Sequence, residues 1–122
     1  MDTALVVVDD EADVVESLQV LLEMDGYTVF PAATAEAALL LVEQHRPVGV
    51  ILDLGMPVVN GLELARRLRD RHGADLPLVA VTGWSDRDDR DKAELAGVDY
   101  VLVKPVEAEA LRKLFPPVNA AE

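Results

Sequence analysis

Cysteine is absent from this chain of 122 residues. That excludes a disulfide scaffold, a thiolate metal site and a cysteine nucleophile, and it fits a reducing compartment. No apolar run approaches the ~20 residues that a membrane helix needs, and Met1-Asp2 opens the chain without a basic leader. These absences predict a cytoplasmic protein with no membrane span. Basic residues are scarce, 11 Lys and Arg against 23 Asp and Glu, for a formal net charge of −12. Such a chain is repelled by nucleic acid phosphates, so direct nucleic acid binding is not expected. Long linkers, repeats and low-complexity segments are missing too. What remains is 51% hydrophobic, sufficient for one domain around one core.

The apolar residues fall into short continuous runs. Ala4-Leu5-Val6-Val7-Val8 leads into Asp9-Asp10-Glu11, Val50-Ile51-Leu52 into Asp53, Leu78-Val79-Ala80-Val81 into Thr82, and Tyr100 to Val103 into Lys104-Pro105. Runs of this kind, bounded by turn residues, read as strands buried on both faces of a parallel sheet. A fifth, Tyr27 to Ala32, contains Pro31 and reads as an edge strand. Between them lie helical patterns. Val14, Val15, Leu18, Leu21 and Leu22 predict a helix over 12–24, closed by Gly26. Thr34 caps a helix over 35–45 that Pro47 stops. Asn60-Gly61-Leu62-Glu63 resembles a capping arrangement for a helix carrying Leu64 and Leu68 on one face. Arg66, Arg67, Arg69 and Arg71 read as its solvated face, because Asp70 and Asp75 interrupt them and no aromatic does. Ser85 can cap a charged helix over 87–96, which turns few apolar residues inward and is expected to be the most loosely held. A last helix spans 107–114, before Pro116-Pro117. Five strands alternating with helices predict an α/β fold, a (βα)5 flavodoxin-like, doubly wound parallel sheet of order 2-1-3-4-5, with residues 1–122 as a single domain and a core over about 4–115.

In a parallel sheet all the strand ends lie on one edge. Asp9, Asp10 and Asp53 therefore converge at the topological switch point, with Thr82 and Lys104 beside them. Asp53 alone could be a turn residue, and Asp9-Asp10 a helix cap; the conjunction at separate strand ends points to a site. Close carboxylates raise one another's pKa unless a cation is present. Their hard oxygens, without thiols or clustered imidazoles, favour Mg²⁺ or Mn²⁺ over Zn²⁺. Aspartate accepts phosphate in aspartyl-phosphate chemistry, a lysine can balance a phosphoryl oxygen, and a threonine can donate to another. The constellation reads as phosphoryl transfer to a carboxylate.

Taken together, Asp9-Asp10-Glu11, Leu52-Asp53-Leu54-Gly55-Met56-Pro57 with Gly61, Thr82-Gly83 and Lys104-Pro105 resemble the receiver domain of two-component response regulators. The resemblance implies that Asp53 is the phosphoacceptor for a histidine kinase or histidine phosphotransfer protein, and that phosphorylation switches an unknown downstream partner. It implies that Asp10, Asp53 and the Gly55 carbonyl bind Mg²⁺, that Asp9 acts largely through water, that Lys104 pairs with the phosphoryl group, and that the Lys104-Pro105 bond is cis. Leu54-Gly55 and Val106 are more similar to receivers attached to hybrid histidine kinases than to those of transcription factors.

One departure stands out. The family usually has a switch aromatic three residues before the lysine, and that position is Val101. Tyr100 is adjacent, but one residue along a strand points to the opposite face. Trp84, the only tryptophan, is expected to border the acidic pocket. Two other classes compete. A phosphohydrolase with an Asp nucleophile calls for a second Asp two residues after the first, where Gly55 stands. A receiver-like interaction module acting without phosphate would have lost Asp53, Asp10 or Lys104, and all are present.

Overall fold

The computed structural model describes residues 3–54, 61–83 and 87–118, excluding the side chains of 87–89. Five parallel strands, β1 (Ala4–Val8), β2 (Thr28–Ala32), β3 (Gly49–Asp53), β4 (Leu78–Thr82) and β5 (Tyr100–Val103), form one sheet of order β2-β1-β3-β4-β5. Five helices alternate with them: α1 (Ala12–Met24), α2 (Ala35–His45), α3 (Gly61–His72), α4 (Arg87–Leu95) and α5 (Ala108–Leu114). The expected fold and strand order are borne out. The central strand β3 is buried along its whole length, and so is β4. Residues alternate between two cores because successive side chains of a strand face opposite ways. Val6, Val8, Val50, Leu52, Leu78 and Ala80 pack towards α2, α3 and α4. Leu5, Val7, Ile51, Val79 and Val81 pack towards α1 and α5. Each fully buried Val, Leu or Ile contributes about 1.5–3 kcal/mol, so these two layers hold the sheet edge that carries the polar residues.

The helix ends follow local chemistry. Thr34 Oγ1 accepts from Ala37 N at 3.1 Å and starts α2 as expected. α2 then ends on Arg46, which turns in the left-handed region at φ 44°. No glycine signals that turn; Pro47 marks only that the helix must stop. After α1 the C-cap is Asp25, and Gly26 takes the left-handed turn at φ 98°. α1 itself starts on Glu11, not on an Asp9-Asp10 cap. The reason is that Asp9 Oδ1 accepts from Glu11 N at 2.9 Å, fixing the turn before the helix. Asn60, Trp84 and Ser85 lie outside the described residues, and so do the readings placed on them.

Arg69 corrects the reading of a uniformly solvated arginine face. Arg66 and Arg67 do lie out in solvent around Glu63, and Arg71 pairs with Glu43 there. Arg69 turns inward, with its side chain 19% exposed. Its Nη1 donates to Gly73 O at 2.7 Å and Leu76 O at 2.8 Å, and its Nε to Gly97 O at 3.0 Å. Its Nη2 reaches Gly97 O and, at 2.9 Å, Asp99 Oδ2, which also accepts from Leu78 N. One guanidinium thus joins the end of α3, the 3-10 turn at Gly73–Asp75, the start of β4 and the turn after α4.

Arg69→Met leaves three carbonyls without that donor, so we expect a loss of about 2–3 kcal/mol. Arg67→Met removes only an exposed pair and should cost no more than about 0.5 kcal/mol. Urea denaturation of the two variants measures the contrast.

Candidate functional site

The strand ends deliver the expected side chains to one place. Asp9 follows β1, Asp53 ends β3, Thr82 ends β4, and Lys104 follows β5. β1 and β3 are adjacent, paired from Leu5↔Gly49 to Val8↔Leu52, so their ends stand side by side. Asp9, Asp53 and Thr82 are buried, at 3%, 6% and 4% exposure, while Asp10 is exposed. Asp9, Asp10 and Asp53 each present a carboxylate oxygen, and the three oxygens lie within 4.8 Å of one another. Lys104 Nζ lies 3.3 Å from Asp9 Oδ2, 3.6 Å from Asp53 Oδ2 and 3.9 Å from Glu11 Oε1. Lys104 N also donates to Thr82 O at 2.8 Å, which ties the start of the loop to β4. The Lys104-Pro105 peptide is cis. Gly55 lies outside the described residues.

The charges do not balance. Burial raises the Asp9 carboxyl above its ordinary range, and the charge of Asp53 adds to this; the bond from Glu11 N and the ammonium of Lys104 oppose it without prevailing. Burial draws the Lys104 ammonium down, but the summed fields of Asp53, Asp9 and Glu11, with the bond to Asp9, leave its pKa raised. One ammonium is therefore strongly held, yet it leaves a net anionic cluster. Such a pocket attracts a cation with hard oxygen preference.

Two determinants escape a reading of the sequence by residue type. Gly61 N donates to Leu54 O at 3.3 Å, and a Cβ on Gly61 would collide with the carbonyl oxygen of Asp53 and with Leu54 Cα. Glycine is needed there because α3 starts directly against the backbone of Asp53. Glu11, the last of the acidic triplet, joins the partners of Lys104. Beside the site, Val101 packs into the core shared with α2, α3 and α4. Tyr100 lies half exposed on the opposite face, near Tyr27 and Phe115. No ring occupies position 101, and the neighbouring ring does not substitute for it.

Two outcomes test this geometry. Gly61→Ala should cost about 1–3 kcal/mol from overpacking against the β3 end, read by thermal unfolding. Asp9 has a folded pKa raised above 3.8, so folding binds a proton more tightly there and stability falls as pH rises through that range. Without divalent cations, Asp9→Asn should therefore be more stable than wild type at pH 7. The gain should vanish at pH values below the unfolded carboxyl pKa, where both are neutral. Urea midpoints across pH check the sign.

Comparison with known proteins agrees with this arrangement. The family model described as the response regulator receiver domain matches residues 5–115. An uncharacterized 14.6 kDa protein of Leptolyngbya boryana is 36% identical, over 93% of this chain and 92% of its own length. Response regulator MprA of Mycobacterium sp. (strain KMS) is 40% identical over 91% of this chain, which spans only 48% of that relative. Among solved structures, chemotaxis protein CheY4 of Vibrio cholerae superimposes with a TM-score of 0.88 at 26% identity, covering 94% of this chain and 97% of that one. A sheet of order β2-β1-β3-β4-β5 with an acidic group at its switch point and a family match over nearly its whole length make this chain a member of the response regulator receiver domain family.

Proposed function

We propose that the chain is a single receiver domain, acting in the cytoplasm, whose Asp53 is phosphorylated by a histidine kinase or histidine phosphotransfer protein in a Mg²⁺-dependent reaction. Mn²⁺ would serve in its place. The observation that carries this reading is the position of Asp53, buried at the end of β3, inside a three-carboxylate cluster and 3.6 Å from Lys104. In the transfer, an Asp53 carboxylate oxygen forms the new bond to phosphorus. The bond from phosphorus to the donor histidine nitrogen breaks, and that nitrogen keeps the electron pair.

The chain's own residues account for most of this. The fully buried β3 holds the nucleophile rigidly, which lowers the cost of orientation. Lys104 stands where its ammonium can pass from the carboxylates to a phosphoryl oxygen, and the Thr82 hydroxyl can donate to another. Asp9, Asp10 and Asp53, with the carbonyl of Gly55, would hold the metal. The fit rests on the three carboxylate oxygens gathered within 4.8 Å of one another, the hard donors that such an ion prefers. When bound, Mg²⁺ supplies neutralisation of the charge gathered around the transferred group. The same residues would assist hydrolysis of the aspartyl phosphate.

The switched surface would centre on the loop after Thr82 and on α4. Among its described residues this helix buries only Ala93, its exit buries Ala96 and Val98, and Leu95 is 84% exposed. A helix with so little buried area can reposition about its exit, which Arg69 fastens at Gly97, and Val101 supplies no aromatic rotation.

Acetyl phosphate with Mg²⁺ should label Asp53 alone, traced by borohydride trapping and peptide mapping. Labelling that persists undiminished in Asp53→Asn, or that needs no divalent cation, would refute the proposal. Asp10→Ala should weaken Mg²⁺ binding at least tenfold, while Lys104→Ala should leave the affinity largely intact and slow phosphorylation. Calorimetric titration with Mg²⁺ separates the two roles.

A further inference from the structure

Glu11 is an odd residue to begin a helix. It occupies the N-cap of α1, but its side chain makes no capping hydrogen bond. Ser, Thr, Asp and Asn cap far better, because their shorter side chains reach the first free N–H groups. The Glu11 carboxylate extends instead towards Lys104, 3.9 Å from its Nζ, and remains 65% exposed. Its backbone is fixed by the bond from Glu11 N to Asp9 Oδ1. The side chain therefore holds a negative charge beside Lys104 without donating to or accepting from the first turn of the helix.

We propose that Glu11 is a specificity-determining residue that disfavours free, dianionic phosphodonors. This rests on the reading of Asp53 as phosphoacceptor. Lys104 is shared among three carboxylates, and an incoming phosphoryl group has to draw it away from them. Asp9 and Asp53 are buried at strand ends, whereas the Glu11 side chain is 65% exposed to solvent. Its charge acts twice, by repelling the donor and by competing for the ammonium. A free dianion meets this charge without a partner interface to offset it. A phosphohistidine carried by a protein partner is positioned by the whole interface, against which one exposed charge counts for little. A unit charge about 6 Å from a dianion in water at 0.1 M salt changes the encounter roughly three- to fivefold.

The test compares wild type, Glu11→Gln and Glu11→Asp at saturating Mg²⁺. With acetyl phosphate at 0.1 M salt, Glu11→Gln should be phosphorylated about three- to fivefold faster than wild type. The advantage should shrink as salt is raised, and should be smaller with the less charged donor phosphoramidate. Glu11→Asp keeps a negative charge but can turn it to cap α1, so its rate should fall between those of wild type and Glu11→Gln. Beryllium trifluoride, a phosphoryl stand-in followed by amide chemical shifts, should bind Glu11→Gln about twofold tighter. Equal rates for wild type and Glu11→Gln at every salt concentration, with phosphate on Asp53 in both, would overturn the role of Glu11 alone. Wild type that takes no phosphate on Asp53 would overturn the phosphoacceptor reading and this inference with it.

Discussion

Lys104 faces Asp9, Asp53 and Glu11 at 3.3, 3.6 and 3.9 Å, and the anionic character of the pocket depends on that unequal contest. Two of those carboxylates are buried, where an uncompensated charge is costly and water cannot screen it. A single ammonium cannot neutralise them together with Asp10. The raised pKa of Asp9 is the consequence, and burial is its first cause. Left to itself the cluster weakens the fold. It persists because the surrounding sheet over-determines it: β3 and β4 are buried from end to end, and Gly61 brings α3 against the backbone of Asp53. Local electrostatic frustration held in place by packing is what a binding site requires.

Topology explains why these residues meet. The chain runs from β1 outward to β2 and then crosses back to place β3 on the other side of β1. The crevice left where the order reverses has no crossover helix above it, so the ends of β1 and β3 are accessible. Asp9 and Asp53 stand at that crevice, and Thr82 and Lys104 come from the next two strands in order. Val101 and Tyr100 show the same period-two logic in reverse. Adjacent in sequence, they belong to opposite faces, and only the valine lies in the core shared with α4.

Those strand ends were legible because each is an abrupt change from apolar to polar, a contrast that survives without knowledge of the fold. The helix over 12–24, the Thr34 cap and the edge position of the Pro31 strand were legible for similarly local reasons. Arg69 was not. Most of its partners are backbone carbonyls, Gly73, Leu76 and Gly97, as far as 28 residues away, and a carbonyl has no signature in sequence. Arg46 was not, because a non-glycine residue in the left-handed region is selected by context. The pairing of Glu11 with Lys104 depends on the path of every strand between them. Gly61 was visible as part of a motif, but its reason, contact with the Asp53 carbonyl, required three dimensions.

The two edges of the sheet treat polar groups in opposite ways. At the edge where strands begin, Asp99 is bound by Arg69 and by Leu78 N. Asp25 is gripped by Arg112 through Nε at 3.0 Å and Nη2 at 3.2 Å, and its carbonyl accepts from Val118 N. Tyr27 donates its hydroxyl to Pro116 O at 2.6 Å. Each of these acceptors has a donor supplied by another element, so that edge fastens the chain. At the edge where strands end, carboxylates outnumber the ammonium that serves them among the described residues. Had the paired edge been as anionic, the fold would lack the margin to keep Asp9 and Asp53 together. Had the anionic edge carried as many cations as carboxylates, it would have no net negative charge. The asymmetry divides one small sheet, with polar groups paired off where its strands begin and carboxylates gathered where they end.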